Sequence, residues 1–250
     1  MKTSYRIGQI VPSSNVTMET EIPAMLRLRE FIRPERFTFH SSRMRMKTVR
    51  KEELAAMDGE SDRCALELSD ANVDVLGYAC LVAIMAMGTG YHRQSQRRLH
   101  LRTIDNGHGA PVVTSAGALI DGLAVIGARR IALVAPYMKP LTQTVVDYIE
   151  AEGVTVVDSV ALEIPNNLDV ARHDTARLPA IVRSLNIKDV DAIVVSACVQ
   201  MPSLAVVPRI EALTRKPVIS AAIATTYAML KALDLETVVP GAGALLCGGY

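Results

Sequence analysis

The sequence predicts an α/β protein of two lobes related by a pseudo-twofold axis, each lobe a mostly parallel four-stranded sheet flanked by helices. Strand-like apolar segments alternate with amphipathic helical segments, which is typical of parallel sheets covered by helices on both faces. The strand-like segments form two groups of four that resemble each other in sequence. Half of the 250 residues are hydrophobic. The chain can therefore bury the aliphatic cores that two such lobes require.

The predicted strands are short runs rich in β-branched residues. Those of the first lobe are YRIGQIV from Tyr5, RFTFHSS from Arg36, VDVLGYA from Val73 and PVVTS from Pro111. Those of the second lobe are RIALVAP from Arg130, VTVVDSVALEI from Val154, DAIVVSA from Asp191 and PVISA from Pro217. RIGQIVP matches RIALVAP, VDVLGYAC matches VDAIVVSAC, and PVVTSAGA matches PVISAAIA. These matches indicate that one α/β unit is written twice.

Helices are predicted between the strands. In residues 51–70, mostly apolar side chains recur every three or four positions, which predicts a helix with these side chains on one face. That face comprises Leu54, Met57, Ser61, Cys64 and Leu68. A second helix, around Val145 and Ile149, is predicted to end at Gly153, which suits a left-handed C-cap.

Composition excludes several classes of partner. The formal net charge is +1, so no broad charged field indicates nucleic acid or an anionic membrane. The basic segment at residues 91–102 is interpreted as a solvated helix face. The N-terminus lacks the pattern of a secretory signal, which predicts a cytoplasmic protein with free thiols. Without metal or nucleotide motifs, no cofactor and no metal are expected.

Cys80 and Cys198 each follow the third strand of their lobe. Taken alone, a cysteine after a strand is more often a small buried hydrophobe than a nucleophile. The repeat favours a functional pair, because ligands bind beyond the carboxyl ends of parallel strands and facing lobes would bring both thiols to one cleft. Each cysteine is predicted to be followed by a loop and a helix N-terminus, which can depress a thiol pKa. Cys64 and Cys247 keep a structural interpretation.

Three polar residues lie near the same predicted cleft, and each has two interpretations. Asn15, after the first strand, is either a helix N-cap or a carboxylate ligand, and the two roles are compatible. Tyr137 occupies the equivalent corner of the second lobe, as a hydrogen-bond donor into the cleft or an ordinary half-buried tyrosine. Asn167 is a turn or cap residue unless it too faces the ligand.

The segments VPSSNVTME with Asn15, GYACLVAIM with Cys80 and SACVQMP with Cys198 resemble the maleate cis-trans isomerases of the aspartate/glutamate racemase superfamily. The resemblance runs over nearly the whole chain. It implies that the last helix and strand return to the first lobe, giving lobes of residues 1–115 plus 222–250 and 116–221 with the active site between them. It also implies a homodimer.

The activity that the resemblance implies is cofactor-independent conversion of maleate to fumarate through a succinyl-cysteine, commonly in the breakdown of nicotinate-type aromatics. Cys80 would be the nucleophile and Cys198 the proton donor. The substrate would be a small dicarboxylate. Its carboxylates would be held by side chains and backbone groups of Asn15, Tyr137, Asn167, Leu81, Val82, Val199 and Gln200.

Two alternatives remain open from the sequence. A racemase of a small amino or carboxylic acid would use the same thiols to remove and return an α-proton. Racemases of this fold follow their cysteines with patterns such as Cys-Asn-Thr, whereas Leu81 and Val199 follow here, which disfavours a substrate with an ammonium group. Arylmalonate decarboxylases share the fold but look like enzymes with one catalytic cysteine, whereas this chain has both Cys80 and Cys198. A non-catalytic sensor that closes on a ligand needs no matched thiols.

Overall fold

The computed structural model describes residues 2–46, 49 and 51–250. All eight predicted strands are present, with bounds close to those expected from the sequence. The strands are β1 (Ser4–Pro12), β2 (Arg36–Met44), β3 (Val75–Tyr78), β4 (Val112–Thr114), β5 (Arg130–Ala135), β6 (Thr155–Ala161), β7 (Ala192–Ser196) and β8 (Val218–Ser220).

The strands form two parallel sheets with the same topology. Their orders are β2-β1-β3-β4 and β6-β5-β7-β8. Ile7 of β1 lies opposite Val75 of β3, and Ile131 of β5 lies opposite Ala192 of β7. The matching order confirms the predicted fold class and the repeat.

Helices flank both sheets. They are α1 (Met18–Arg29), α2 (Lys51–Asp70), α3 (Leu81–Ala86), α4 (Tyr91–Asp105), α5 (Ser115–Val125), α6 (Lys139–Ala151), α7 (Asn167–Ala171), α8 (Leu178–Ser184), α9 (Val207–Thr214) and α10 (Ala221–Ala232). Among the described residues, these helices are too short or too polar to cross a bilayer.

The repeat extends to the helix caps. Thr114 ends β4, and its hydroxyl accepts the Gly117 N–H of α5 at 3.1 Å. Ser220 ends β8, and its hydroxyl accepts the Ile223 N–H of α10 at 3.2 Å. An N-cap hydroxyl satisfies one of the backbone donors that a helix leaves unpaired. The same strand-to-helix junction is therefore built twice.

The core lies between the sheets and their helices. Central strands β3 and β7 are buried at every position, as expected for parallel strands covered on both faces. The predicted inner face of α2 is confirmed, because its five residues are all buried. Gly153, just beyond α6, has a φ of 91°, which confirms the predicted left-handed helix end.

The chain end packs on the first sheet. Helix α10 lies against α1, α5, β3 and β4. Beyond it, the buried Arg29 guanidinium of α1 donates to the carbonyls of Glu236 and Val238 at 2.6 and 2.9 Å. The same guanidinium pairs with Glu35 at 3.0 Å. These bonds fix the C-terminal segment to the first lobe.

The expected final strand is not formed. In its place Val238 and Cys247 make an isolated antiparallel bridge within the C-terminal segment. Pro240 lacks a backbone donor, and Gly241 and Gly243 adopt positive φ values of 72° and 80°. This segment therefore turns back on itself instead of extending along a sheet.

The basic segment forms α4, whose buried face includes His92 and Leu99. Arg93, Arg97 and Arg102 are exposed, which confirms a largely solvated outer face. Arg98 departs from that prediction because its guanidinium turns inward to carboxylates of α2.

Candidate active site

Cys80 lies two residues beyond the end of β3 and directly precedes α3. Its backbone has a φ of 99° and a ψ of 72°, a left-handed conformation that costs free energy for any residue with a Cβ. The preceding residue, Ala79, donates its N–H to the Ile10 carbonyl of β1 at 2.9 Å. The fold therefore holds the first thiol in a strained turn at the carboxyl edge of the sheet.

Cys198 occupies the equivalent position, two residues beyond the end of β7. The Ser196 hydroxyl lies within hydrogen-bond distance of the carbonyls of Cys198 (2.7 Å) and Met201 (3.0 Å), which closes the turn around the thiol. The Gln200 N–H donates to the Cys198 sulfur at 3.4 Å. The two cysteines thus have the same location in the repeat but different local backbones.

Both thiols line one small cavity between the two lobes. Its lining residues are Pro12, Asn15, Met46, Val49, Cys80, Val82, Tyr137, Asn167, Cys198, Val199 and Gln200. The free space in this cavity is about 20 Å³, enough for one water molecule. Eight of the nine residues predicted from the sequence line it; Leu81, at the start of α3, does not.

Burial controls the acidity of Cys80. It raises the pKa of the Cys80 thiol to about 12, while the Ala83 N–H acts in the opposite direction. Negative charge on Cys198 and on Asp58 raises it further. The helix N-terminus that the sequence predicts does lower this pKa through the Ala83 N–H, but desolvation outweighs the donors of the short α3.

Burial also raises the pKa of the Cys198 thiol. Three hydrogen-bond donors oppose that shift, namely the Tyr137 hydroxyl and the N–H groups of Gln200 and Met201. No α-helix follows this cysteine directly, since the chain passes through a turn before α9 starts at Val207. The predicted helix N-terminus at this thiol is therefore absent, and individual donors take its role.

Asn15 acts as a cap of α1 through its amide oxygen, which leaves its amide nitrogen for another partner. Its Oδ1 accepts the N–H of Met18, the first residue of α1, at 3.1 Å. Among the described residues, its Nδ2 has no hydrogen-bond partner. Tyr137 is buried rather than half-buried, and its hydroxyl lies 3.2 Å from the Ala197 carbonyl, close to the Cys198 sulfur. The Asn15 Nδ2 can therefore donate into the cavity, whereas the single Tyr137 hydroxyl proton is donated to the Ala197 carbonyl and must turn away from it to reach a ligand.

Asn167 is the first residue of α7 and faces the cavity. The capping role belongs to its neighbour Asn166, whose Oδ1 accepts the Leu168 N–H at 2.8 Å. The Asn167 Nδ2 donates to the Ser14 hydroxyl at 2.8 Å, across the interlobe boundary. Asn167 is therefore not the N-cap of α7 but a residue of the cavity wall, and its role as a ligand of the substrate stays a prediction.

Sequence reasoning missed Pro12, Met46 and Val49, which complete the apolar wall of the cavity. Pro12 could have been found, because it ends the repeated segment RIGQIVP. Met46 and Val49 lie between β2 and α2, where no repeat or motif marks them. A larger apolar cavity of about 380 Å³ adjoins this one and shares Val49, Tyr137 and Asn167 with it.

Known proteins resemble this chain over its full length. A family model described as arylmalonate decarboxylase matches residues 7–246. The maleate isomerase of Pseudomonas putida (strain KT2440) is 72% identical over 250 residues, which are 100% of both chains. That of Geobacillus stearothermophilus is 60% identical over 100% of both chains. The chain belongs to the maleate isomerase family.

Solved structures of this family have the same fold. The maleate isomerase of Pseudomonas putida S16 superposes with a TM-score of 0.98 at 67% identity, covering 99% of this chain and 100% of that chain. A Nocardia farcinica maleate cis-trans isomerase has a TM-score of 0.94 at 48% identity, covering 99% and 100%. It is a cysteine-to-serine variant with a covalently bound succinylcysteine intermediate.

Maleate isomerases share their fold with arylmalonate decarboxylases, one of which has a TM-score of 0.75 at 21% identity. At that identity the likeness extends to the fold alone. The paired thiols agree with the maleate isomerase family, in which a covalent cysteine adduct has been captured.

Proposed function

We propose that this chain isomerises maleate to fumarate without a cofactor, through a succinyl adduct on Cys80. The observation that carries the proposal is the cavity lined by Cys80 and Cys198 at equivalent strand ends of the two lobes. Membership of the maleate isomerase family supports the same reaction. Rotation about a carbon–carbon double bond requires that the bond first become single, which addition of a thiolate achieves.

The Cys80 thiolate attacks one alkene carbon, and the π electrons move into the carboxylate on the other carbon. Cys198 then donates a proton to that second carbon, which gives a succinyl group bonded to the Cys80 sulfur. The central single bond rotates and relieves the eclipsed carboxylates. Cys198 takes a proton back, the carbon–sulfur bond breaks, and fumarate leaves as the Cys80 thiolate is restored. Positioned proton transfer contributes roughly two to four powers of ten in rate.

Neutral donors stabilise the charge that develops on the substrate carboxylate. The Asn15 Nδ2 and the Tyr137 hydroxyl are side-chain candidates. The N–H groups of Leu81, Val82 and Val199 have no acceptor among the residues that the structure describes. Each well-aimed donor contributes about 3 kcal/mol to such a transition state. None of the lining residues that the structure describes carries a formal charge, and the donors named here are neutral hydrogen-bond donors.

The test is to add maleate to the purified protein and follow fumarate by proton NMR. Cys80→Ala is expected to abolish turnover, because no thiolate can then open the double bond. In Cys198→Ser, intact-mass spectrometry is expected to find a covalent adduct of substrate mass on Cys80. Cys64→Ser, a change at a buried cysteine of α2, is the matched control and should keep activity. Fumarate formation by Cys80→Ala at the wild-type rate would refute the nucleophile.

The proposal includes a cytoplasmic homodimer that serves the breakdown of nicotinate-type aromatics, with no nucleic-acid or membrane partner. The family resemblance supports it. Leu28, Phe31 and Ile32 form an exposed apolar patch at the end of α1, the kind of surface that a second subunit covers. In the proposed division the lobes are residues 1–115 plus 222–250 and 116–221, and the packing of α10 on α1, β3 and β4 supports the assignment of residues 222–250 to the first lobe. Light scattering on the purified protein tests the dimer.

The racemase alternative is not favoured. The curated relatives that match at 49% identity or more are maleate isomerases. Among the residues that the structure describes, the cavity lining also includes neither Asp nor Glu to pair with a substrate ammonium group. Burying an unpaired ammonium group would be costly.

A further inference from the structure

We infer that the Gln200 side chain is a positioning residue that ties both carboxylate-binding segments to the turn carrying Cys198. Gln200 is 2% exposed and lies two residues after that cysteine. Its amide oxygen accepts two N–H groups, and its amide nitrogen donates to two carbonyls. The four partners are Val16 N–H at 2.9 Å, Thr17 N–H at 3.3 Å, Ser14 carbonyl at 2.9 Å and Asn167 carbonyl at 2.9 Å.

These four bonds use the full capacity of a glutamine amide, which has two donors and two acceptor lone pairs. No side-chain group is left to contact a substrate, so Gln200 acts through the residues that it holds. Residues 14, 16 and 17 flank Asn15, the proposed carboxylate ligand of the first lobe. Asn167 is the corresponding ligand of the second lobe, and its Nδ2 adds a bond to the Ser14 hydroxyl at 2.8 Å.

The contact crosses between the lobes. Ser14 and Val16 follow β1 of the first sheet, whereas Gln200 follows β7 of the second. A diacid held between Asn15 and Asn167 needs both amides at a fixed separation. The Gln200 amide sets that separation because it is bonded to both segments at once.

The inference rests on the proposed function and predicts a specific kinetic effect. A change confined to the Gln200 side chain leaves its backbone N–H on the Cys198 sulfur. The proton-transfer group therefore stays in place while the carboxylate ligands lose their tie. The effect should fall on KM for maleate more than on kcat.

The experiment compares Gln200→Met with Gln9→Met. Gln9 is also fully buried, but its amide bonds only within the first lobe, to the Met18 carbonyl at 3.3 Å and the Ser41 hydroxyl at 3.4 Å. Gln200→Met is expected to raise KM for maleate about tenfold with kcat within about threefold of wild type, the size of losing one or two hydrogen bonds. Gln9→Met is expected to leave KM within about twofold.

Gln200→Glu is the second variant, in case the methionine variant does not fold. It keeps an acceptor for Val16 and Thr17 but removes both donors, so KM is again expected to rise about tenfold or more. A KM within twofold of wild type in a folded Gln200 variant would overturn the inference. So would a loss confined to kcat, which would assign Gln200 to the chemical step. Absence of fumarate from the wild-type protein would instead refute the proposed function, so the two failures are distinct.

Discussion

Replacing Asp58 by alanine should destabilise the first lobe severely. Asp58, on α2, is 4% exposed, and its carboxylate accepts three strong hydrogen bonds. The donors are the Tyr78 hydroxyl at 2.8 Å, the Tyr91 hydroxyl at 2.6 Å and the Arg98 guanidinium at 3.0 Å. Tyr78 ends β3 and is fully buried, so its hydroxyl has no access to water once the carboxylate is gone. The alanine variant therefore leaves buried donors without an acceptor.

The magnitude follows from this bond set. Hydrogen bonds to a charged group contribute about 1.5–3 kcal/mol each, and removing one partner of a buried ion pair costs about 3–5 kcal/mol. These values overlap because the same atoms are involved. The expected loss for Asp58→Ala is about 3–5 kcal/mol in the free energy of unfolding. Turnover should fall as well, because Tyr78 lies two residues before the strained turn at Cys80.

The assay is urea unfolding followed by circular dichroism, with the free energy of unfolding obtained by linear extrapolation. Asp62→Ala is the matched control, because Asp62 lies on α2 like Asp58 and pairs with Arg98 and Arg102 of α4, but its side chain is partly exposed. It should lose no more than about 1 kcal/mol. A loss below 1 kcal/mol for Asp58→Ala would show that solvent replaces the carboxylate and would refute the reasoning.

Three further outcomes are expected. Burial raises the pKa of Glu21 above 4.5 in the folded protein. The stability of wild type relative to Glu21→Gln should therefore be greatest below pH 4.5 and fall as pH rises through the folded pKa. Urea midpoints at several pH values check this, and a pH-independent difference would contradict it. Gly153→Ala should lower the free energy of unfolding by about 1 kcal/mol, because the φ of Gly153 is 91°. Gly59→Ala should raise it by up to about 1 kcal/mol, because Gly59 lies inside α2 with open space where the Cβ would be. Thermal unfolding measures both. Alkylation of Cys80 by iodoacetamide, followed by peptide mass spectrometry, should keep accelerating toward its pKa of about 12, and a plateau near neutral pH would contradict the assigned shift.

The sequence was sufficient to predict the elements that obey a simple period. The central strands β3 and β7 are short apolar runs, and the helix at residues 51–70 repeats its buried residues every three or four positions. The duplication then related Cys80 to Cys198 without any structural information. Both thiols line the same cavity, as the repeat predicts.

The sequence could not predict features that depend on burial or on contacts distant along the chain. The net direction of the thiol pKa shifts could not be predicted, because a sequence pattern indicates a helix N-terminus, whereas desolvation depends on what packs over the sulfur. The Asp58 carboxylate meets donors 20 and 40 residues away on β3 and α4. The prediction of a final strand was wrong because Pro240 and its neighbouring glycines favour a turn over an extended segment.

The two copies differ in the backbone and in the hydrogen-bond donors around their cysteines. Cys80 lies in a left-handed turn, where burial raises its pKa to about 12 and the Ala83 N–H opposes the shift. Cys198 lies in a relaxed turn where the Tyr137 hydroxyl and two backbone N–H groups stabilise its thiolate. A residue that must release and recover a proton benefits from donors that hold its anion, whereas a nucleophile with a high pKa forms a strong bond to carbon. Equivalent positions with unequal donors therefore support unequal tasks, attack by Cys80 and proton transfer by Cys198.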